Sequence, residues 1–277
     1  MRGMQTPPRL CDPEALRRNR ARAARAPVTF LMEQVAAEVQ ERLIEVNRRF
    51  TAPAIVTGWP GFWAGVMPGA QVVPDDDTLS LTPGAHDLVL HALSLHWAAD
   101  PIGQLVQCRH ALRPDGLLIA VLFGGQTLHE LRASLAAAEA EVTGGLSPRV
   151  APMGEIRDLG ALLQRAGLAL PVADATPLTV SYPTLTALLH DLRAMGEGNA
   201  LAGRLRHPTR RAVMARAAAI YAETFATPDG RLPATFDIIT LTGWAPAPDQ
   251  PQPLRPGSAT HRLADALGAT PLAPTDD

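Results

Sequence analysis

Lysine is absent from this chain: all 25 basic residues are arginine. That excludes a Schiff-base lysine mechanism, which needs an amine whose pKa can be tuned. Cysteine is scarce too. Cys11 and Cys108 are the only two in 277 residues, and their separation matches no metal or redox spacing. A reducing, cytoplasmic setting is the expectation. Long apolar runs are also missing, since residues 116–123 form the longest, well short of the ~20 that cross a bilayer. A net charge of −2 supplies no global pull toward nucleic acid or membrane. What is present is 47% hydrophobic residues, ordinary for a globular chain, and enough length for one large domain or one with an appendage.

The chain divides into a basic arm (1–28), a main domain (29–244) carrying an inserted helical lid (182–228), and a proline-rich tail (245–277). The arm holds Arg17, Arg18, Arg20, Arg22 and Arg25. Its composition suits an organelle presequence, but no cleavage signal or serine enrichment accompanies it. A surface helix is predicted instead. From Thr29, a plausible N-cap, residues Leu31, Val35, Val39, Leu43 and Val46 recur at helical spacing. Short buried strands are expected at 54–57, 71–73, 87–90 and 117–122. A helix at 101–112 is closed by Arg-Pro-Asp-Gly, a turn signal. Further helices are expected at 126–142 and 156–166, then a closing antiparallel pair at 178–181 and 235–241. Two lid helices, 184–195 and 209–225, lie between that pair. The tail carries five prolines within 245–257, followed by SATHRLADALG. Strands alternating with helices predict a doubly wound α/β sheet.

The stretch DLVLHALSLHWAADPIGQLVQCRHALRPDGLLIAVLFGGQTLHELR has the order and phasing of the second half of a class I S-adenosylmethionine (SAM) methyltransferase. With ERLIEVNRRF, DLGALLQRAG, DLRAMGEGNA, YAETFATPDGRLPATFDIITLTGW and PGSA, it resembles the respiratory complex I assembly factor 5 family. That family is a relative of the malonyl-carrier-protein methyltransferases. The segments GGQTLHELR, DLRAMGEGNA and LPATFDII are the family-specific ones, and the similarity runs from about Arg9 to Gly268. The resemblance implies a Rossmann-like SAM-methyltransferase sheet and a protein subunit of a respiratory complex as partner. The mitochondrial member is associated with hydroxylating an arginine of such a subunit. No two-His-one-carboxylate spacing stands out as an iron site.

SAM binding in this fold needs small residues after the first strand, an acid for the ribose and a polar contact for the adenine. Gly58 and Gly61 stand in the loop position, but Trp59 and Pro60 between them bring bulk and a fixed φ. Asp75 and Asp76, followed by Asp77, are read either as cofactor acids, with Asp75 the closest match to the adenine contact, or as a solvated turn. Only 25 residues separate Gly61 from Asp87, too few for two further βα units. The sheet is therefore expected to be truncated on its amino-terminal side, and the cofactor site to be degenerate. Ser94, His96 and Trp97 follow the next strand, where doubly wound folds bind ligands. Ser94 and Trp97 are candidate cofactor contacts, and His96 is the candidate acid or base. Gly124, Gly125 and Gln126 are read as admitting a substrate backbone, and His129 and Glu130 as surface residues. Glu197, near Met195, Gly196 and Asn199, is read either as recognising a cationic arginine or as part of a helix end. Three readings stay open: a subunit-modifying or chaperoning assembly factor, a working methyltransferase for a small or carrier-bound carboxylate, and a non-catalytic binding module.

Overall fold

The computed structural model describes residues 9–250. A first compact unit ends at Pro246 and a second begins at Ala247. Most of the expected proline-rich tail, with SATHRLADALG, lies outside the described residues.

Six strands form one sheet among the described residues: β1 (Pro53–Thr57), β2 (Gln71–Val73), β3 (His86–Ala92), β4 (Leu112–Gly124), β5 (Ala169–Tyr182) and β6 (Leu232–Trp244). Their order is β2-β1-β3-β4-β6-β5. The first four run parallel, while β6 is antiparallel to both β4 and β5. This is the doubly wound sheet with its antiparallel close, and it is truncated as expected. A single short helix, α3 (Pro60–Val66), spans the gap between β1 and β2, so β2 pairs directly with β1.

Side chains alternate along the strands to fill two cores. Ile55, Leu88, Leu90, Leu117, Ile119, Val121, Phe236 and Ile238 face one core. It is closed by α2 (Phe30–Val46), α5 (His129–Thr143), α7 (Leu185–Ala194) and α8 (Arg211–Phe225). Val56, Val89, Leu118, Ala120, Ile239 and Leu241 face the other, beneath α4 (Pro101–Ala111) and α6 (Ile156–Arg165). At the entry to β3 the Asp87 carboxylate accepts from the Thr51 and Ala52 amides and the Thr51 hydroxyl, at 2.6, 2.9 and 2.8 Å. Burial opposes its charge, yet those bonds outweigh it and hold its pKa below the ordinary value.

Several elements differ from expectation, among them the unforeseen α3 and the following three. Strand β4 begins at Leu112, because Arg-Pro-Asp-Gly is absorbed as a bulge. The register slips between His86/Leu112 and Leu88/Leu117, and Asp115 takes a φ of 58°. Strand β5 extends to 14 residues although it contains Pro171 and Pro177. It is an edge strand, where a missing N–H costs no ladder bond. Thr29 does not cap α2 with its side chain; its hydroxyl instead donates to Glu33 at 2.6 Å.

The basic arm forms α1 (Pro13–Ala23), capped by Asp12 accepting from the Ala15 amide, with Pro13 in the first turn. Its apolar face, Ala15 and Leu16, packs with Cys11, Trp97, Ala200 and Leu201. Backbone bonds from Asp12 to Ala200 and from Ala202 to Leu10 fasten its start. Arg204 and Arg206 both pair with Asp12.

Candidate functional site

The carboxyl ends of the parallel strands lie along one edge of the sheet, and the segments leaving them build the site. β1 is followed by Gly58, β2 by the run Asp75–Asp77, β3 by a 3-10 turn over Leu95–Trp97, and β4 by Gly125. Pro60 stands in the first turn of α3, so its fixed φ starts a helix and does not obstruct the loop. The side chain lying over Gly58 is Arg20 from α1. A Cβ added to Gly58 would overlap the Arg20 guanidinium. The same guanidinium donates from Nη1 to both oxygens of Asp75, at 2.8 and 2.9 Å. Both side chains are nearly buried, at 10% and 12% exposure. Gly58 and Asp75, paired from sequence as cofactor contacts, are thus brought together, with the chain's own arginine between them.

Two cavities flank that point. One, of about 180 Å³, lies between α1 and the aspartate turn and includes Cys11, Asp75, Trp97 and Gln104 in its lining. The other, of about 240 Å³, lies beneath the lid and is lined by His96, Trp97, Phe123, Arg149, Glu197 and Phe236, among others. Trp97 belongs to both. Its indole donates to Glu197 at 2.7 Å, and His96 Nε2 lies 3.3 Å from the same oxygen. The lid loop ends α7, as the helix-end reading expected. Gly196 takes a φ of 77°, the Glu197 amide bonds back to Leu192, and the carboxylate turns inward. Burial pushes the Glu197 pKa up, but His96, Arg20 and Trp97 together overcome it and hold the group below the usual carboxylate range.

Beneath this layer, His91 is fully buried on β3. Its Nε2 bonds Gln104 at 2.8 Å, and the Ser94 hydroxyl lies 3.5 Å from its Nδ1. Gln104 in turn donates to the Asp75 and Asp76 carbonyls, tying α4 to the aspartate turn. Burial pushes the His91 pKa down to about 4, against the opposing pull of Gln104 and Asp75. A base that is harder to protonate when folded stabilises the fold fully above its unfolded pKa. That stabilisation fades as pH drops from ~6.5 toward the folded value. Urea midpoints should therefore fall across that window, and His91→Gln should flatten the slope. Identical slopes in the two proteins would refute this.

Other candidates lie away from the point of contact. Gly61 is exposed, with open space where a Cβ would stand. Asp76 is exposed and 3.8 Å from Arg17. Gly124 and Gly125 lie against Ile239 and Asp237. Glu130, expected at the surface, is buried and accepts from the Thr235 hydroxyl at 2.5 Å. Burial raises the Cys11 and Cys108 thiols to about 11 and about 12, so neither is a reactive thiolate. Sequence reasoning missed Arg20, whose charge pattern announced a surface helix only. It also missed Leu93 and Leu128, which adopt φ of 48° and 55° beside the crevice. No residue pattern signals such strain at leucine.

The chain matches no protein-family model. It is 40% identical over 199 residues to the zebrafish (Danio rerio) protein named arginine-hydroxylase NDUFAF5, mitochondrial, covering 72% of this chain and 62% of that one. The human (Homo sapiens) protein of that name is 33% identical over 279 residues, covering 90% and 81%. A malonyl-[acyl-carrier protein] O-methyltransferase from Laribacter hongkongensis is 35% identical over 178 residues, covering 64% and 57%. The identity and coverage shared with the human protein show that this chain belongs to the family of arginine-hydroxylase NDUFAF5.

Proposed function

We propose that this protein acts in the assembly of respiratory complex I, modifying or chaperoning one of its protein subunits, with a cofactor site that takes SAM weakly or not at all. The observation that carries the reading is the chamber beneath the lid. At about 240 Å³, lined mostly by apolar side chains, with the Glu197 carboxylate and Asn199 beside Arg193 and an Arg149 already paired with Glu139, it suits one long side chain offered by a protein better than a free metabolite, and Glu197 is the group in it that would pair with a cationic one. Arginine is the side chain that the relatives' name specifies. Among the described residues no helix is long and apolar enough to cross a membrane, so contact with a membrane complex would go through its subunits.

The test is deletion of the gene in its source cell, with rescue by the wild-type protein or by Glu197→Gln. Native gels should show stalled complex I intermediates after deletion. Mass spectrometry of the subunits should show an arginine lacking its modification, or a subunit lost to aggregation if the role is chaperoning. Wild type should restore assembly and Glu197→Gln should not. Full assembly and unchanged subunits in the deletion strain would refute the proposal.

A further inference from the structure

We propose that α1 is a displaceable strap over the cofactor crevice, and that Arg20 and SAM compete for the same two residues, Gly58 and Asp75. This rests on the reading above that the crevice at the strand ends is where a SAM-type cofactor goes in this fold.

Three arginines of the arm meet the three aspartates after β2 in reverse order. Arg9 lies 3.1 Å from Asp77, Arg17 lies 3.8 Å from Asp76, and Arg20 lies 2.8 Å from Asp75. The outer two pairs are more than half exposed, so water and salt weaken them. The inner pair is different. Its guanidinium has left water, yet only Nη1 is hydrogen-bonded; Nε and Nη2 are buried and find no partner among the described residues. A buried cation with two unmet donors is poorly compensated, because each N–H has lost its hydration without replacement. Its hold on the crevice is therefore weaker than its burial suggests.

What fills the cradle is also movable. The atoms nearest a Gly58 Cβ are Cζ, Nη1 and Nε of Arg20, the far end of a long flexible chain and not backbone. A cavity of about 180 Å³ already lies beside them, with Arg17, Arg20 and Asp75 in its wall. If Arg20 swung out, this cavity would join the space over Gly58 and free both Asp75 oxygens to accept from a ligand's amino group. The arm stays tethered meanwhile, through the Cys11–Leu201 bridge at its start and the bond from the Val28 amide to the Ala194 carbonyl beyond its end. Between those ties α1 is also held by the Asn19 amide, which donates to the Gly198 carbonyl at 2.9 Å, and by the packing of Ala15 and Leu16, but of these holds only Arg20 lies over Gly58 and Asp75.

The experiment titrates SAM calorimetrically into the full chain as wild type, Arg20→Ala and Arg20→Gln, and follows hydrogen exchange of residues 13–23 with and without SAM. If the strap is open less than about a tenth of the time, removing the clamp tightens apparent binding at least about tenfold. We expect that gain in both variants, faster exchange of α1 in each, and faster exchange of wild-type α1 when SAM is added in excess. Equal SAM binding by wild type and variants would overturn the strap while leaving the cofactor reading intact. No binding by any form, although α1 exchanges faster in the variants, would overturn the cofactor reading and the competition with it. Slower α1 exchange on adding SAM to the wild type would also overturn the proposal, since the arm would then close over the cofactor. This last measurement does not depend on how well either variant folds.

Discussion

Replacing Glu197 by alanine is expected to cost the protein about 3–5 kcal/mol of stability, the range for removing one partner from a buried charged network. The carboxylate accepts the Trp97 indole N–H and faces His96 Nε2, and its charge is felt by Arg20. Alanine would leave a buried indole donor unpaired, orphan the remaining His96 nitrogen and withdraw negative charge from beside a buried guanidinium. His96 Nδ1 already lacks a partner among the described residues, so that ring has no second bond to fall back on. The same carboxylate sets an acid limb. Because its folded pKa is depressed, its contribution is fully present above the unfolded value of ~4.3 and fades as pH falls through the folded one. Urea unfolding at pH 7 should show the full loss in Glu197→Ala, and the difference from wild type should shrink below about pH 4. A loss under about 1 kcal/mol at pH 7 would mean that water replaces the carboxylate without penalty and that the cluster is not tightly coupled.

Phe236→Ala should be comparably severe, for an apolar reason. Phe236 is 1% exposed on β6, and its ring lies 5.9 Å from Phe123, whose own ring lies 5.0 Å from His96. Deleting a buried phenyl group loses its transfer energy and leaves a cavity, together about 3–5 kcal/mol. For a unit of this size that lowers the melting temperature by roughly 10 °C. Because Phe236 also lines the lid chamber, the truncation would enlarge the chamber and loosen the Phe123–His96 stack. Phe236→Leu, which keeps most of the volume, should recover the larger part of the melting temperature. Equal melting temperatures for the two variants would show that the site collapses freely, and that Phe236 does not brace the chamber.

The sheet was readable in the sequence because burial imposes a period. Runs such as Leu117–Phe123 are apolar on both faces, and that pattern marks a central parallel strand. The end of β5 was read at 178–181, but its first part hid because Pro171 and Pro177 argue against a strand until its edge position is known. The candidate site was legible in its parts. Gly58, Asp75, Ser94, His96 and Trp97 all lie at or beside the strand ends, as their spacing predicted. Their partners were not legible. Arg20 reaches Asp75 across 55 residues, and Glu197 reaches His96 across 101. Contacts between side chains so far apart depend on where α1 and the lid dock, and no local pattern encodes that.

The shared wall at Trp97 makes the two cavities one thermodynamic object. Its ring bounds the space beneath α1 and the space beneath the lid, and its N–H is spent on the lid's Glu197. Any occupant of one cavity that shifts this ring changes the free energy of filling the other. Such an effect is obligatorily mutual: the factor by which a guest under the arm alters affinity under the lid equals the factor in the opposite direction.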